Sequence, residues 1–303
     1  MRYHIHILLV LLLVWCNPIR SQVLYEISGN GAKQRSYLLA TNRLVDIQFL
    51  DTIPNLFKCW GKCNTLITEF SIRDYEAINT MRQAALLPDS VRLEHYYSEE
   101  EYLKIDESLR LATNMGMDKL ARMKPSYLTQ LYRDELMRKW LTYDELRSIE
   151  TFFSVVAEQN KMPIHGLDDT GETIYMLFDR EPFHHQCKEL IQIIEYPERE
   201  VQLERKLTEL YRNGRLNDMV YAVTGPDNLS TLSFSDYQLF AARNQNWVKR
   251  LHPYLNEGNI FITLNAIYLG GDKGLIACLR AAGYRVKPVN QFQNAKTTRK
   301  DAR

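Results

Sequence analysis

The densest set of metal-ligating side chains in this 303-residue chain is His184-His185-Gln186-Cys187. Adjacent side chains on a helix leave it in different directions, so the two imidazoles cannot close on one ion, and the first turn of a helix accounts for them without a metal. His165, in Met162-Pro163-Ile164-His165-Gly166-Leu167, ends a short apolar run. There it could serve as a general base, or be a strand-end histidine held by hydrogen bonds. Cys59 and Cys63 stand four apart in a helical segment. Their sulfurs share one face, but Cα atoms one turn apart bridge only with strain, and no paired histidines stand nearby to complete a metal site. Both read as packing cysteines. Ser230, Ser233 and Ser235 fall in an expected loop without a Gly-x-Ser-x-Gly setting, so serine hydrolysis is not supported. Neither a P-loop nor a dinucleotide fingerprint is present, which sets nucleotide chemistry aside.

Short apolar runs alternate with helical patterns, the mark of an α/β (α+β) fold. Strands are expected at Leu24–Ile27 and Ser36–Ala40 around a Gly29-Asn30-Gly31 turn, then at 66–70, 162–167, 260–264 and 284–289. The N- and C-terminal strands should form one mixed sheet, with a large helical middle between them. A helix is expected over Pro54–Cys63. In the middle, Ser98-Glu99-Glu100-Glu101 and Thr142-Tyr143-Asp144-Glu145 read as capping boxes, predicting helices over about 98–113 and 142–160. From Glu181 to Arg212 two amphipathic helices should break near Tyr196-Pro197; further helices are expected over 235–256 and 273–282, the last stopped by Gly283. The pattern of strand followed by polar motif occurs near residue 40 and again near 265, so the two chain ends are expected to meet at one site.

The N-terminus carries Arg2 and then the apolar run Ile5–Val14, which stops at Cys16-Asn17-Pro18. That is a charged head and a short apolar core, below the roughly 20 residues a spanning helix needs. Residues 1–21 therefore read as a secretory signal peptide cut after Ser21, with residues 22–289 as the folded part and the polar, basic 290–303 as a disordered tail. Lipid attachment at Cys16 is the rival reading, opposed by bulky Trp15 in a position that favours a small residue. Without Arg2 and Arg20 the mature chain holds 36 basic against 37 acidic side chains. Such a balance argues against nucleic acid as a partner. The expected location is outside the cytoplasm, periplasmic or extracellular, with no spanning segment once the signal is removed.

Several motifs run in a recognisable order. Ser36-Tyr37-Leu38-Leu39-Ala40-Thr41 is a strand entering a polar turn; Cys63-Asn64-Thr65-Leu66-Ile67-Thr68-Glu69 is a strand reaching an acid; Ile164-His165-Gly166-Leu167-Asp168 is a strand, a turn and a second acid. Arg243-Asn244-Gln245-Asn246-Trp247 follows, then 263–271 and Gly283-Tyr284-Arg285-Val286. From about Leu24 to Val289 this order resembles the TraB/GumN family, whose relatives include the Tiki-type metalloproteases. The resemblance implies an α/β domain in which two Gly-x-x-His motifs at strand ends and a glutamate converge on a divalent metal that activates water.

Both motifs are altered in this chain: the first reads Ala40-Thr41-Asn42-Arg43 and the second Asn265-Ala266-Ile267-Tyr268. Asp168 stands where the family has glutamate, and Thr173 where glutamine is expected. Arginine offers no lone pair and adds a positive charge where an ion would sit. The metal ligands are thus expected to be lost, with no cofactor. Glu69 and Arg243 remain as the catalytic candidates, and Asn42, Arg43, Asp168, Asn244, Asn265 and Tyr268 as cleft candidates. One expectation is that Arg43 pairs with Glu69 and takes over the charge role of the metal. On this reading the chain is a non-catalytic binding relative for a peptide, a protein or a cell-envelope component. The alternatives are an active hydrolase using Glu69, Asp168 and Arg243, or a structural envelope protein.

Overall fold

Gly29, Asn30 and Gly31 all take positive φ, at 85°, 48° and 83°, and so reverse the chain between strands β1 (Leu24–Gly29) and β2 (Ser36–Thr41). Two glycines and an asparagine are the residues that accept such a backbone most readily. In the computed structural model, which describes residues 22–71, 75–141, 144, 147–225 and 234–289, this hairpin forms part of a six-stranded mixed sheet. The expected signal peptide and tail lie outside the described residues. The remaining strands are β3 (Thr65–Thr68), β4 (Ile164–Gly166), β5 (Ile260–Asn265) and β6 (Tyr284–Pro288), in the spatial order β4-β3-β5-β2-β1-β6.

Four neighbours, β4, β3, β5 and β2, run parallel, while β1 pairs antiparallel with both β2 and β6. The parallel strands consequently present their carboxyl ends along one edge, at Gly166, Thr68, Asn265 and Thr41. Strand β2 is buried throughout and β5 nearly so, as parallel strands covered on both faces must be. Thr41 pairs with Asn265, which joins the two ends of the chain as expected. The two altered motifs are offset by one residue in this register: Ala40 faces Leu264 rather than Asn265.

Helices α1 (Leu56–Trp60), α2 (Tyr75–Ala84), α3 (Glu99–Thr113), α4 (Met117–Leu120), α5 (Pro125–Leu141), α6 (Ile149–Gln159) and α7 (Thr170–Ile174) precede α8 (Phe183–Glu195), α9 (Pro197–Arg212), α10 (Leu216–Thr224), α11 (Phe234–Glu257) and α12 (Leu275–Ala281). They build two hydrophobic clusters. One surrounds the sheet, with Leu38, Ile67, Phe153, Trp247 and Phe261 buried in it. The other lies among α3, α5, α8 and α9, around Ile105, Leu109, Leu128, Leu190 and Val201. The carboxyl edge of the sheet opens towards this second cluster. No described helix is long and apolar enough to cross a membrane.

Some expected boundaries move. The strand expected over 66–70 ends at Thr68, and the helix expected from Pro54 to Cys63 is a five-residue piece. Of the helix expected over 142–160, the expected cap at Thr142 and Glu145 lies outside the described residues, and α6 starts at Ile149, where the Ser148 hydroxyl accepts the Thr151 amide 3.2 Å away and supplies the cap. Ser235 belongs to α11 rather than a loop, while Ser230 and Ser233 lie outside the described residues. Cys59 and Cys63 are buried free thiols in the sheet cluster. The capping box at the start of α3 forms as predicted: the Ser98 hydroxyl accepts the Glu101 amide, and the Glu101 carboxylate accepts the Ser98 amide at 2.8 Å. Ser98→Ala therefore removes an N-cap and is expected to cost about 1 kcal/mol in urea unfolding; no measurable loss would show that α3 is held by its packing alone.

Candidate functional site

Just beyond β3 and β4 the chain places two acids side by side. The Asp168 amide donates to the Glu69 carbonyl at 2.8 Å, continuing the strand ladder by one more bond and fixing the two side chains at the same edge. Helix α11 reaches over that edge with Arg243, Asn244 and Trp247, one helical turn of residues. Arg243 Nε donates to Asp168 Oδ2 at 2.8 Å and Nη2 lies 2.6 Å from the same oxygen. Nη2 also donates to Glu69 Oε2 at 3.3 Å. The other carboxylate oxygens are engaged too: Asp168 Oδ1 accepts Trp247 Nε1 at 2.5 Å, and Glu69 Oε1 accepts the Asn265 amide at 2.8 Å.

Two aromatic rings hold the guanidinium. Its carbon lies 4.3 Å from the Trp247 ring centre and 4.5 Å from that of Tyr268, and the rings meet edge to face at 77°. With their centroids only 5.4 Å apart, the two rings flank the guanidinium from neighbouring directions, while its Nε and Nη2 are turned to the carboxylates. Burial disfavours the Arg243 charge, but Tyr268, Glu69 and Asp168 outweigh it and hold the group above its ordinary range. Burial also pushes the Tyr268 phenol up to about 12, with Glu69 adding to the shift. Burial raises the Glu69 carboxyl as well, against the opposing pull of Arg243.

Of the residues singled out from sequence, Glu69, Asp168, Arg243, Asn265 and Tyr268 come together here. Asn244 is buried alongside and donates to the Tyr268 and Lys273 carbonyls, both at 3.0 Å, so it braces the loop that carries Tyr268. Asn42 is a turn residue whose Oδ1 accepts the Leu44 amide. The expected Arg43–Glu69 pair does not form: Arg43 Nη1 lies 2.6 Å from Asp134 Oδ1 of α5, and Glu69 is taken by Arg243. The reason is geometric, since β5 lies between β2 and β3 and separates the two strand ends. His165 is exposed and packs its ring 5.3 Å from Tyr254.

A cleft runs from this cluster to the helical middle. One cavity of about 450 Å³ is lined by Glu69, Arg243 and Tyr268 on the sheet side and by Tyr127, Thr129 and Asp134 of α5 on the other. A second, of about 240 Å³, holds Asn42, Arg43 and Asn265. Both are bordered by Gln130, Arg133, Arg180 and Glu189, so Arg43 and Tyr268 stand along one continuous opening. Arg133, missed from sequence, joins α5 to α8 and α9 through Glu189 at 3.3 Å and Glu200 at 2.5 Å. Glu150 was missed as well. In sequence it is merely the acid of a helix first turn, yet its carboxyl is buried beside the Thr41 hydroxyl at the end of β2.

The cluster sits at the carboxyl ends of parallel strands, where open α/β sheets hold their ligands. With that geometry established, comparison with known sequences is informative: the profile described as the TraB/PrgY/gumN family matches residues 23–288. The chain belongs to the TraB/PrgY/gumN family. No curated protein and no solved structure matches it.

The residues this family member holds at the strand ends do not fit a divalent metal. Arg43 cannot ligate, the Tyr268 phenol keeps its proton to about 12, and all four oxygens of Glu69 and Asp168 already accept donors from Arg243, Trp247 and Asn265. Among the described residues no group of three or more histidine, cysteine or acidic side chains is placed to hold an ion.

The same edge carries a pH signature. Burial raises the Glu150 carboxyl above its ordinary 4.5, opposed by Thr41 and reinforced by Glu69. A carboxyl raised on folding stabilises fully below its unfolded value, and that contribution is lost as pH rises through the folded one. Glu150→Gln should therefore raise the melting temperature at pH 8 by about 3 °C, with the gain shrinking as pH falls towards 4.5; a lower melting temperature at pH 8 would show that the charged form is the one the fold uses.

Proposed function

We propose that this chain is an exported binding relative within its family, one that holds a peptide, a protein or a cell-envelope component in the cleft without a divalent metal and without cutting it. The observation that carries this reading is the Arg243 assembly. The guanidinium, rather than a metal, neutralises Glu69 and Asp168, and neither carboxylate is left with the open coordination that metal-bound water chemistry needs. The near balance of charge speaks for a protein or envelope partner over nucleic acid. Export rests on the charged and apolar N-terminus, with the periplasm or the cell exterior as the destination.

One observation favours a second reading. Glu69 is a half-buried carboxyl with a raised proton affinity beside a fixed cation, a pairing suited to proton transfer in a hydrolase using Glu69, Asp168 and Arg243. Elemental analysis separates the two. Protein equilibrated with manganese, cobalt or zinc and then desalted should retain far less than one equivalent, the same in wild type and Glu69→Gln. Stoichiometric metal that disappears in Glu69→Gln, together with peptidase activity, would establish the hydrolase instead.

A further inference from the structure

Between α7 and α8 the chain makes a π-turn, Tyr175–Asp179, and none of its five residues is buried although Tyr175, Met176, Leu177 and Phe178 are apolar. Leu177 is 43% exposed and belongs to neither hydrophobic cluster. Apolar residues withheld from a core and grouped at one opening mark a place that something else covers, and single π-turns are frequent at functional sites. This turn is firmly held. Gln186 of α8, itself buried, donates from Nε2 to the Phe178 carbonyl at 2.9 Å and to the Glu181 carbonyl at 2.8 Å. Its Oε1 accepts the Ser126 amide at 3.2 Å, and the Ser126 hydroxyl donates to the same Phe178 carbonyl at 3.2 Å. The turn is thus fixed to the start of α5 as well as to α8.

Met176, Leu177 and Phe178 line the 450 Å³ cavity together with Phe70, which is 40% exposed, and with Tyr127 and Leu131 of α5. The Tyr127 and Phe178 ring centres lie 6.5 Å apart, so the turn and α5 share one apolar wall. The volume falls within the roughly 300–1,000 Å³ of ordinary ligand sites. Charged groups of the same cavity are already matched: Glu69 with Arg243, Asp134 with Arg43, Arg133 with Glu189 and Arg180 with Glu181. Those pairs account for every charged side chain of the lining. A charged guest would lose water and find no unmatched counter-charge, whereas an apolar guest gains by covering Leu177 and Phe70.

We propose that Leu177 and Phe178, with Phe70, Tyr127 and Leu131, form an apolar subsite that takes one large uncharged side chain of a peptide, of the size of phenylalanine or leucine. The inference rests on the binding reading above and names the residue class that the cleft selects. Leu177 is its specificity-determining residue, exposed at the cavity and spent on no core.

The test is an NMR titration of the full mature chain with N-acetylated, C-amidated tripeptides Ala-X-Ala, in which X is phenylalanine, alanine, glutamate or lysine. The phenylalanine peptide is expected to bind about tenfold more tightly than the alanine peptide, and the two charged peptides no better than alanine. Leu177→Ala should weaken the phenylalanine peptide about tenfold with the melting temperature unchanged, and Leu177→Met should bind nearly as wild type. Leu111→Ala, which removes an 88% exposed leucine on α3, should bind as wild type. The subsite is overturned if no peptide binds, if the alanine or charged peptides bind as tightly as phenylalanine, if Leu177→Ala binds like wild type or unfolds the protein, or if Leu111→Ala weakens binding equally. Attachment to phosphatidylcholine vesicles that Leu177→Ala abolishes, without peptide binding, would assign the wall to a lipid surface and overturn it as well. Analysis of the peptide after titration separates this inference from the function above: Leu177-dependent binding with cleavage supports the subsite and contradicts the non-cleaving function, whereas lack of binding overturns the subsite and leaves that function standing.

Discussion

Two carboxylates at the open end of a parallel sheet, side by side and mostly withdrawn from water, cannot be tolerated unless a cation comes to them. The desolvation of each is worth several kcal/mol, and their mutual repulsion adds to it. In this chain the cation is Arg243, brought by a helix that starts 68 residues after β4 ends, at Phe234 against Gly166. The requirement propagates outward. Trp247, one turn further along α11, must donate to the remaining Asp168 oxygen; Tyr268 must pack beside the guanidinium next to Trp247; and Asn244 must hold the Tyr268 loop through two carbonyls. Strand order, helix direction and loop conformation thus converge on one ion cluster.

A second arginine repeats the arrangement across the cleft. Arg133 ties α5 to α8 and α9 through Glu189 and Glu200, and Arg43 crosses from the end of β2 to Asp134 of α5. The Arg43–Asp134 pair attaches the helical middle to the end of β2, the Arg133 pairs tie the middle helices to one another, and α9 joins both parts by placing Val201 in one apolar cluster and Leu210 and Tyr211 in the other. The cleft between them consequently has walls rich in ion pairs.

Much of the fold could be read from sequence where the signal was local. Ser98 and Glu101 declare the start of α3, Pro197 separates α8 from α9, and the Gly29-Asn30-Gly31 turn sets the first hairpin, because each is a short-range backbone requirement. Long α5 was not delimited in advance, since its apolar and charged residues are divided between the second core and the ion pairs and so blur the helical period. Ser148 caps α6 although no acid stands three residues on to complete a capping box, so local pattern did not mark it. At the site, Glu69, Asp168, Arg243 and Tyr268 were identifiable by resemblance, but their pairing was not. Arg43 and Tyr268 occupy equivalent places in the two altered motifs, and only the order of strands shows that Arg43 faces Asp134 and not Glu69. Glu150 carries no sequence mark: an acid in a first turn is ordinary until tertiary packing buries it.

The dependence of this edge on one guanidinium is open to a double-mutant cycle between Arg243 and Asp168. Arg243→Met, Asp168→Asn and the double variant would be compared with wild type by urea unfolding. Each single change should be strongly destabilising, by about 4 kcal/mol for the loss of the cation, and the double variant should cost clearly less than the sum, with a coupling of about 2 kcal/mol or more. Additive losses, with coupling under about 0.5 kcal/mol, would contradict the account, because the two groups would then be neighbours without being the interaction on which the sheet edge depends.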